Sequence, residues 1–185
     1  VEKIDLVEAI KGRYSCRIFE EAPIPDESNR AIRKAIEELP NGPFGTKPRF
    51  TLIAAEPYDA SMLKGLGTYG FIKKPSAFIV GKLGEGEMAL EDFGYLLEML
   101  VIEATRLGLG SCWLGGSFAK SRFSKVAGLH NGERLVPAVI ALGRIPAGID
   151  TRKGAIRDRV GGAFRKPWGE LFFEGTRDRP LADDA

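Results

Sequence analysis

Apolar residues along this chain fall into two kinds of pattern, helical spacing and short unbroken runs, and the two interleave. The longest helical pattern covers residues 90–107, LEDFGYLLEMLVIEATRL. There Phe93, Leu96, Leu97, Leu100, Val101, Ala104 and Leu107 recur at i, i+3, i+4 and i+7, the stripe of a helix with one buried face. Eighteen residues at about 1.5 Å each give a rod of about 27 Å, the size of a central core helix. Gly108 and Gly110 stop it. A shorter helix is expected from Asp5, with Glu8 three residues on as a capping-box partner and Ile4, Val7 and Ile10 on one side, ending at Gly12. Another follows Pro23-Ile24-Pro25, capped by Asp26, with Ile32, Ile36 and Leu39 as its inner stripe. Residues 118–128 also read as helical.

The unbroken runs predict strands at 50–55 (FTLIAA), 76–80 (SAFIV), 111–114 and 134–143 (RLVPAVIALG). The last is the strongest, with its β-branched residues, and Pro137 predicts an edge or bulge position for it. The Pro- and Gly-rich stretch LPNGPFGTKPRF (39–50) is a loop, Gly84 and Gly86 make a turn, and KGLGTYGFIKKP is a short helix or loop. Helices and strands alternate without a strict βαβ rhythm. The expected class is α+β, a mixed β-sheet flanked by helices with a long central core helix, as one domain over residues 1–185.

Composition narrows the function classes. A hydrophobic content of 44% with 28% charged residues and a mean hydropathy of −0.10 is that of a globular protein. No apolar run reaches the length of a membrane span, and the opening VEKIDLVEAI lacks the order of a secretory signal. A cytoplasmic location is the expectation, with a trimmed start left open because residue 1 is not Met. Net charge of +2 is too small to argue for nucleic acid. Cys16 and Cys112 form no CxxC pair and are expected as reduced thiols rather than metal ligands. The single histidine, His130, precedes the turn dipeptide Asn131-Gly132, which argues against a Ser-His-Asp triad or a histidine-rich metal site.

Three clusters remain for chemistry. In GRYSCRIF (12–19), Arg13, Ser15 and Arg17 alternate. In an extended chain they share one face, each roughly 6.6 Å from the next, with Tyr14 and Ile18 turned to the core. Two guanidiniums flanking a hydroxyl suit a phosphate group; the same run also reads as a basic surface turn. In RLGLGSCWLGGSF (106–118), Trp113 stands where a dinucleotide fingerprint needs glycine, and the run follows a helix. Gly115 and Gly116 offer bare backbone that a flat ligand could approach, or simply a tight loop after a helix stop. In FRKPWGELFF, Arg165 and Lys166 are adjacent cations, either a solvated pair or a second set of anion contacts. From Arg144 to Arg179 nine Lys or Arg face five Asp or Glu. A nucleic-acid role for this basic third lacks interleaved aromatic stacking positions.

Taken together, these features resemble the FMN-dependent nitroreductases, and in particular a Thermotoga-type subgroup. The resemblance rests on Arg-x-Ser-x-Arg and Phe19 after an opening helix, on EDFGYLLEMLVIEATRLGLGSCWLGGSF, on the strand ending ALGRIP, and on TYGFIKKPSAFIVG with GAFRKPWGELFF. It covers nearly the whole chain. It implies a nitroreductase-like fold and an FMN site at the interface of a homodimer. By this resemblance Arg13, Ser15 and Arg17 hold the phosphate, with Arg165 or Lys166 helping. Leu114, Gly115 and Gly116 lie against the isoalloxazine with a backbone N–H near its N5, and Tyr69 and Gly70 border the pocket. NAD(P)H would be the hydride donor and a nitroaromatic, quinone or similar molecule the acceptor. The chemistry would be flavin-borne, with no catalytic acid or base and no metal.

One departure stands out. The family pattern Pro-Ser-x-x-Asn-x-Gln-Pro-Trp corresponds to the 39–50 loop, where Lys47-Pro48 replace Gln-Pro, Gly45 stands in place of Asn, and no Trp follows. Subgroup members carry a second such block beyond RKPWGELFF, and this chain stops at Ala185. Three expectations follow: a fragment, a flavin site built differently, or a degraded one; the altered loop also favours the alternative of a domain that keeps the fold and binds a flavin or other phosphate ligand without turnover.

Overall fold

The 3.6-residue stripe becomes helix α3, Ala89–Arg106, within one residue of expectation at each end. Its apolar positions Phe93, Leu96, Leu97, Leu100, Val101 and Ala104 are all buried. Each large side chain removed from water contributes about 1.5–3 kcal/mol, which is why this helix organises the core. Gly108, at φ +75°, closes it in the left-handed conformation that glycine adopts without penalty. This computed structural model describes residues 5–55, 63, 66–126, 128, 136–148, 159, 161, 164 and 166–182. They fall in two compact units, Val1–Thr151 and Arg152–Ala185.

In the first unit, α1 (Leu6–Gly12) and α2 (Asp26–Glu37) precede β1 (Arg49–Ala54) and β2 (Ala77–Lys82). After α3 come β3 (Leu109–Leu114), α4 (Lys120–Val126) and β4 (Val139–Arg144). The four strands form one sheet in the order β1-β2-β4-β3, and every neighbouring pair is antiparallel. Among the described residues, parallel pairing occurs in two isolated bridges outside these four strands, Ser15 to Ser111 and Ile18 to Lys73. The expected strand at 134–143 starts later, at Val139, and lies inside the sheet rather than at an edge. Pro137 lies two residues before the first strand residue, so its missing N–H breaks no ladder bond.

Both faces of the sheet are covered, so the inner strands are buried along nearly their whole length. One face carries Leu52, Ala54, Ile79, Leu109, Ile140 and Leu142 against α2 and α3. The other carries Ile53, Phe78, Val80, Cys112, Leu114, Val139 and Ala141 against Cys16, Phe19, Phe118 and Phe123. Phe123 meets both Phe78 and Phe118 edge-on, at 5.0 and 5.3 Å.

Two helix starts differ from expectation. Asp5 caps α1 as expected, accepting from Val7 N–H at 2.9 Å, but Glu8 pairs with Lys11 at 3.3 Å. The apolar side of α1 is not buried: Leu6, Val7 and Ile10 are each about half exposed, and only Ala9 goes inward. Asp26 is the first residue of α2 rather than its cap; Pro25 occupies the cap position and supplies no side-chain bond. Ile4 and His130 lie outside the described residues.

In the second unit, a 3-10 turn (Trp168–Glu170) stacks Trp168 on Phe172 at 4.0 Å, and Phe173 bridges to Pro180.

Candidate functional site

Once α1 ends at Gly12, Arg13 takes an extended conformation (φ −62°, ψ 135°) and the chain runs parallel along the open edge of β3. Cys16 N–H donates to Ser111 O at 2.8 Å. The close approach is possible because Gly110 has no side chain: a Cβ there would meet Cys16 Cβ and Sγ at 3.0 Å. The segment then crosses to a second partner. Lys73 N–H donates to Arg17 O at 2.8 Å, Phe19 N–H to Lys73 O at 3.0 Å, and Glu20 N–H to Arg144 O at 3.0 Å. Arg13, Ser15 and Arg17 are all half-buried, and Arg17 Nη1 donates to Ser15 O at 3.4 Å.

The expected alternation holds for only part of this run. Tyr14 packs against the core beside buried Cys16. Ile18, expected inside, is 39% exposed, and Phe19 goes in instead at 1%. The parity changes because the segment leaves β3 and pairs with Lys73 between these positions.

The strand beside Arg13, Ser15 and Arg17 leads directly to the glycine pair. Leu114, its last residue, is 3% exposed with its side chain in the core, so only its main chain can face a ligand. Gly115 and Gly116 are exposed, and a Cβ built on either meets no atom within 4 Å. The surrounding fold therefore leaves this backbone open on the side where a side chain would stand.

The 66–74 loop connects the two regions. Its Lys73 end is bonded to the Arg17–Phe19 backbone, and Ala119 N–H donates to Gly67 O at 3.0 Å. Tyr69 and Gly70 sit at its tip, Tyr69 70% exposed with φ +49° and Gly70 at +78°. Lys74, at φ +55°, is a second strained position and pairs with Glu21 at 2.7 Å. That contact holds the Glu21 carboxyl below its ordinary value.

Three residues that the sequence patterns left aside shape this region. Glu98 on α3 receives the Trp113 indole N–H at 2.7 Å and lies 3.5 Å from Arg13 Nε. Cys112 sits where burial pushes its thiol up, while the nearby Arg17 and Arg13 guanidiniums and the Ser15 hydroxyl pull more weakly the other way. Asp92 is fully buried and accepts backbone N–H bonds from Phe44 at 2.8 Å and Thr46 at 2.7 Å. Burial alone would raise its pKa, but these donors outweigh it and the net direction is down. Asp92 falls four residues before Leu96 on the inward stripe, and a carboxylate at that position was the available signal.

Asp92 anchors the 39–50 loop. Gly42 is pressed against its carboxylate, and the turn is closed by Gly42 N–H to Thr46 O and Gly45 N–H to Gly42 O, both 2.9 Å. Gly45 is exposed at φ +88°. Of the C-terminal cations, Arg165 lies outside the described residues, and Lys166 belongs to the second unit, where it is exposed. No cluster of His, Cys, Asp or Glu among the described residues is placed to hold a metal ion, and no described helix is long and apolar enough to cross a membrane.

The fold recurs in solved structures. A nitroreductase family protein from Clostridium difficile 630 superposes with a TM-score of 0.66 at 20% identity, covering 94% of this chain and 99% of that one. A protein from Desulfovibrio desulfuricans described as a putative nitroreductase, solved in complex with FMN, gives 0.65 at 24% identity over 94% and 98%. A mutant of the FMN- and NADPH-dependent nitroreductase NfnB from Sphigopyxis gives 0.64 at 14% identity over 94% and 100%. No curated protein matches the chain in sequence. The profile of the family described as putative TM nitroreductase matches residues 5–171, and the chain belongs to that family.

Proposed function

We propose that this protein is an FMN-dependent oxidoreductase. The observation that carries the reading is the course of residues 13–17 along β3: two guanidiniums and a hydroxyl lie beside a strand that ends in open glycine backbone. The residues present fit the cofactor. Arg13 and Arg17 can each present a forked donor edge to phosphate oxygens, with the Ser15 hydroxyl between them. Gly115 and Gly116 leave room for a flat ring against the main chain, whose N–H groups can donate to it. Leu114, locked in the core, fixes where that backbone begins. When bound, FMN supplies the redox chemistry, carrying a hydride equivalent from NAD(P)H to a nitroaromatic, quinone or similar acceptor. The protein's part is to grip, orient and shield; no side-chain acid or base is required of it.

A homodimer fits the surface. The exposed Leu6 and Ile10 of α1 border a groove of about 630 Å³ shared with Leu39, Tyr95 and Met99, and a second copy would cover it.

A second reading, a flavin- or phosphate-binding domain without turnover, is favoured by Gly45, which brings no side chain to the loop where the family pattern expects Asn. Absorbance titration of the apoprotein with FMN separates these readings from no binding at all. Bound flavin that oxidises NAD(P)H with nitroaromatic or quinone acceptors supports the enzyme, and bound flavin without turnover supports the second. Unchanged FMN affinity in Arg13→Ala with Arg17→Ala refutes the phosphate assignment. At about 1.5–3 kcal/mol per charge-assisted bond, two lost bonds should weaken binding by at least about a hundredfold.

A further inference from the structure

We propose that Glu98 is a positioning residue of the cofactor site, which holds Arg13 with one carboxylate oxygen and the Trp113 indole with the other. The proposal rests on the FMN reading above and adds a residue to it. Glu98 Oε2 accepts from Trp113 Nε1 at 2.7 Å, and Oε1 lies 3.5 Å from Arg13 Nε. Both side chains of the ion pair are partly shielded, at 28% and 39% exposure, unlike the solvated Lys11–Glu8 pair at 69% and 65%.

Donor chemistry explains why a carboxylate stands here. The guanidinium and the indole are donors with no acceptor capacity, so a single side chain that serves both must accept twice. An ionised Glu does so with two oxygens, whereas Gln has one oxygen and would turn an NH₂ group toward the second donor. The contact also engages Arg13 through Nε, which leaves the forked Nη edge out of this interaction. Arg17 shows no such carboxylate anchor among the described residues; its Nη1 donates to the Ser15 carbonyl. The two arginines thus differ: Arg13 is fixed to the body of the protein and Arg17 to its own segment.

Trp113 immediately precedes Leu114-Gly115-Gly116. The carboxylate therefore ties the proposed phosphate end of the site to the strand that delivers the proposed ring contacts, across fifteen residues of sequence. A bound phosphate also sees the negative charge of Glu98. Positioning and repulsion predict opposite signs on removal of the carboxylate, which makes the role measurable.

The experiment titrates FMN into the wild type, Glu98→Ala, Glu98→Gln, Arg13→Ala and the double variant Arg13→Ala with Glu98→Ala. All carry Trp168→Phe, so that emission comes from Trp113 alone. Glu98→Ala should weaken FMN binding about tenfold and Glu98→Gln about threefold, since one acceptor survives. The double variant should bind no more weakly than Arg13→Ala, because the carboxylate acts through that guanidinium. Trp113 emission in the FMN-free protein should shift in Glu98→Ala, which a general loosening read only by Tm would not give. If Arg13→Ala weakens binding while Glu98→Gln and Glu98→Ala leave it unchanged or tighten it, the positioning role is overturned and the FMN site stands. If Arg13→Ala with Arg17→Ala leaves FMN affinity unchanged, the site and the positioning role fall together.

Discussion

Asp92, in the first turn of α3, accepts the backbone N–H of Thr46 at 2.7 Å, across 46 residues of sequence, in a place fully closed to water. The same carboxylate takes the Phe44 N–H, so one side chain supplies the two bonds that fix the 42–46 turn to the core helix. An Asn at this position has the same shape but offers an NH₂ to one of two groups that can only donate. Asp92→Asn should therefore lower Tm by more than about 5 °C. The pH dependence has a definite sign. The native pKa lies below the ordinary 3.8, so the stabilisation from Asp92 is complete above that value and is lost as pH falls through the lower native one. The gap in stability between wild type and Asp92→Asn should narrow below about pH 4 in urea titrations. A constant gap from about pH 7 to about pH 2.5 would show that the carboxylate's charge is not what holds the turn.

Two glycines, one beside this carboxylate and one on the same helix, should respond in opposite directions. A Cβ on Gly42 would collide with the Asp92 carboxyl group, and the carboxylate is pinned by its donors. Gly42→Ala should cost about 1–3 kcal/mol. Gly94, inside α3, has nothing within 4 Å of the place an added methyl group would occupy, and no positive φ. Gly94→Ala should stabilise the protein by about 0.5–1 kcal/mol through helix propensity alone. Denaturant midpoints at constant m-value decide both.

Gly110 controls the placement of the arginine segment. A methyl group there would meet Cys16 Cβ and Sγ at 3.0 Å, pushing the 13–17 backbone off the β3 edge. Gly110→Ala should cost about 1–3 kcal/mol and also weaken FMN binding, which no residue on the far side of the sheet would do. Adding Cys16→Ala removes the Sγ contact and leaves those to the residue-16 Cβ and to Ile145 Cγ1 at 3.1 Å. The double variant should recover part of the stability and part of the FMN affinity, a non-additive outcome that a cycle of the four proteins measures.

Much of this architecture was legible because period follows from local geometry. The 93–107 stripe and the runs at 50–55 and 76–80 gave α3, β1 and β2 close to their observed bounds. Period says which positions turn inward but not what they meet. Asp92 and Glu98 were both visible as residues, yet their partners come from a loop 46 residues away and a strand 15 residues away. The Arg-x-Ser-x-Arg run was legible as an alternation, but Ile18 broke it because a second pairing partner, Lys73, takes over midway. On α1 the amphipathic pattern was present and its burial was not: Val7 and Ile10 stay half exposed, outside the core that this chain builds for itself.

That exposed face of α1 gives a prediction about assembly. Leu6 and Ile10 are 51% and 54% exposed beside the groove that Met99 and Tyr95 also line. Carboxylates placed there disrupt the apolar part of the contact and add to the negative charge of Glu38, Glu98 and Glu103 in the same lining, and should prevent it from closing. Leu6→Glu with Ile10→Glu should convert the proposed dimer to a monomer in sedimentation velocity, with little loss of secondary structure. If the wild type is already monomeric at micromolar concentration, the homodimer reading fails outright.

Gly45 offers the sharpest test of whether the altered loop limits the site. Its φ of +88° is one that side chains adopt at a cost, and Asn is among the residues that tolerate positive φ best. A Cβ at this position meets no atom within 4 Å, so the penalty is confined to the backbone, about 1 kcal/mol. The turn itself is held from outside by Asp92, which should keep its course when the side chain is added. In the family pattern that this chain resembles, the corresponding position is Asn, expected by that resemblance to reach the flavin. Gly45→Asn should therefore tighten FMN binding while slightly lowering Tm, and raise turnover with a nitroaromatic acceptor if weak flavin retention is what limits it. Should the variant lose stability and gain no affinity, the 42–46 turn does not face the cofactor, and the flavin site of this chain is built from the arginine segment and the glycine pair alone.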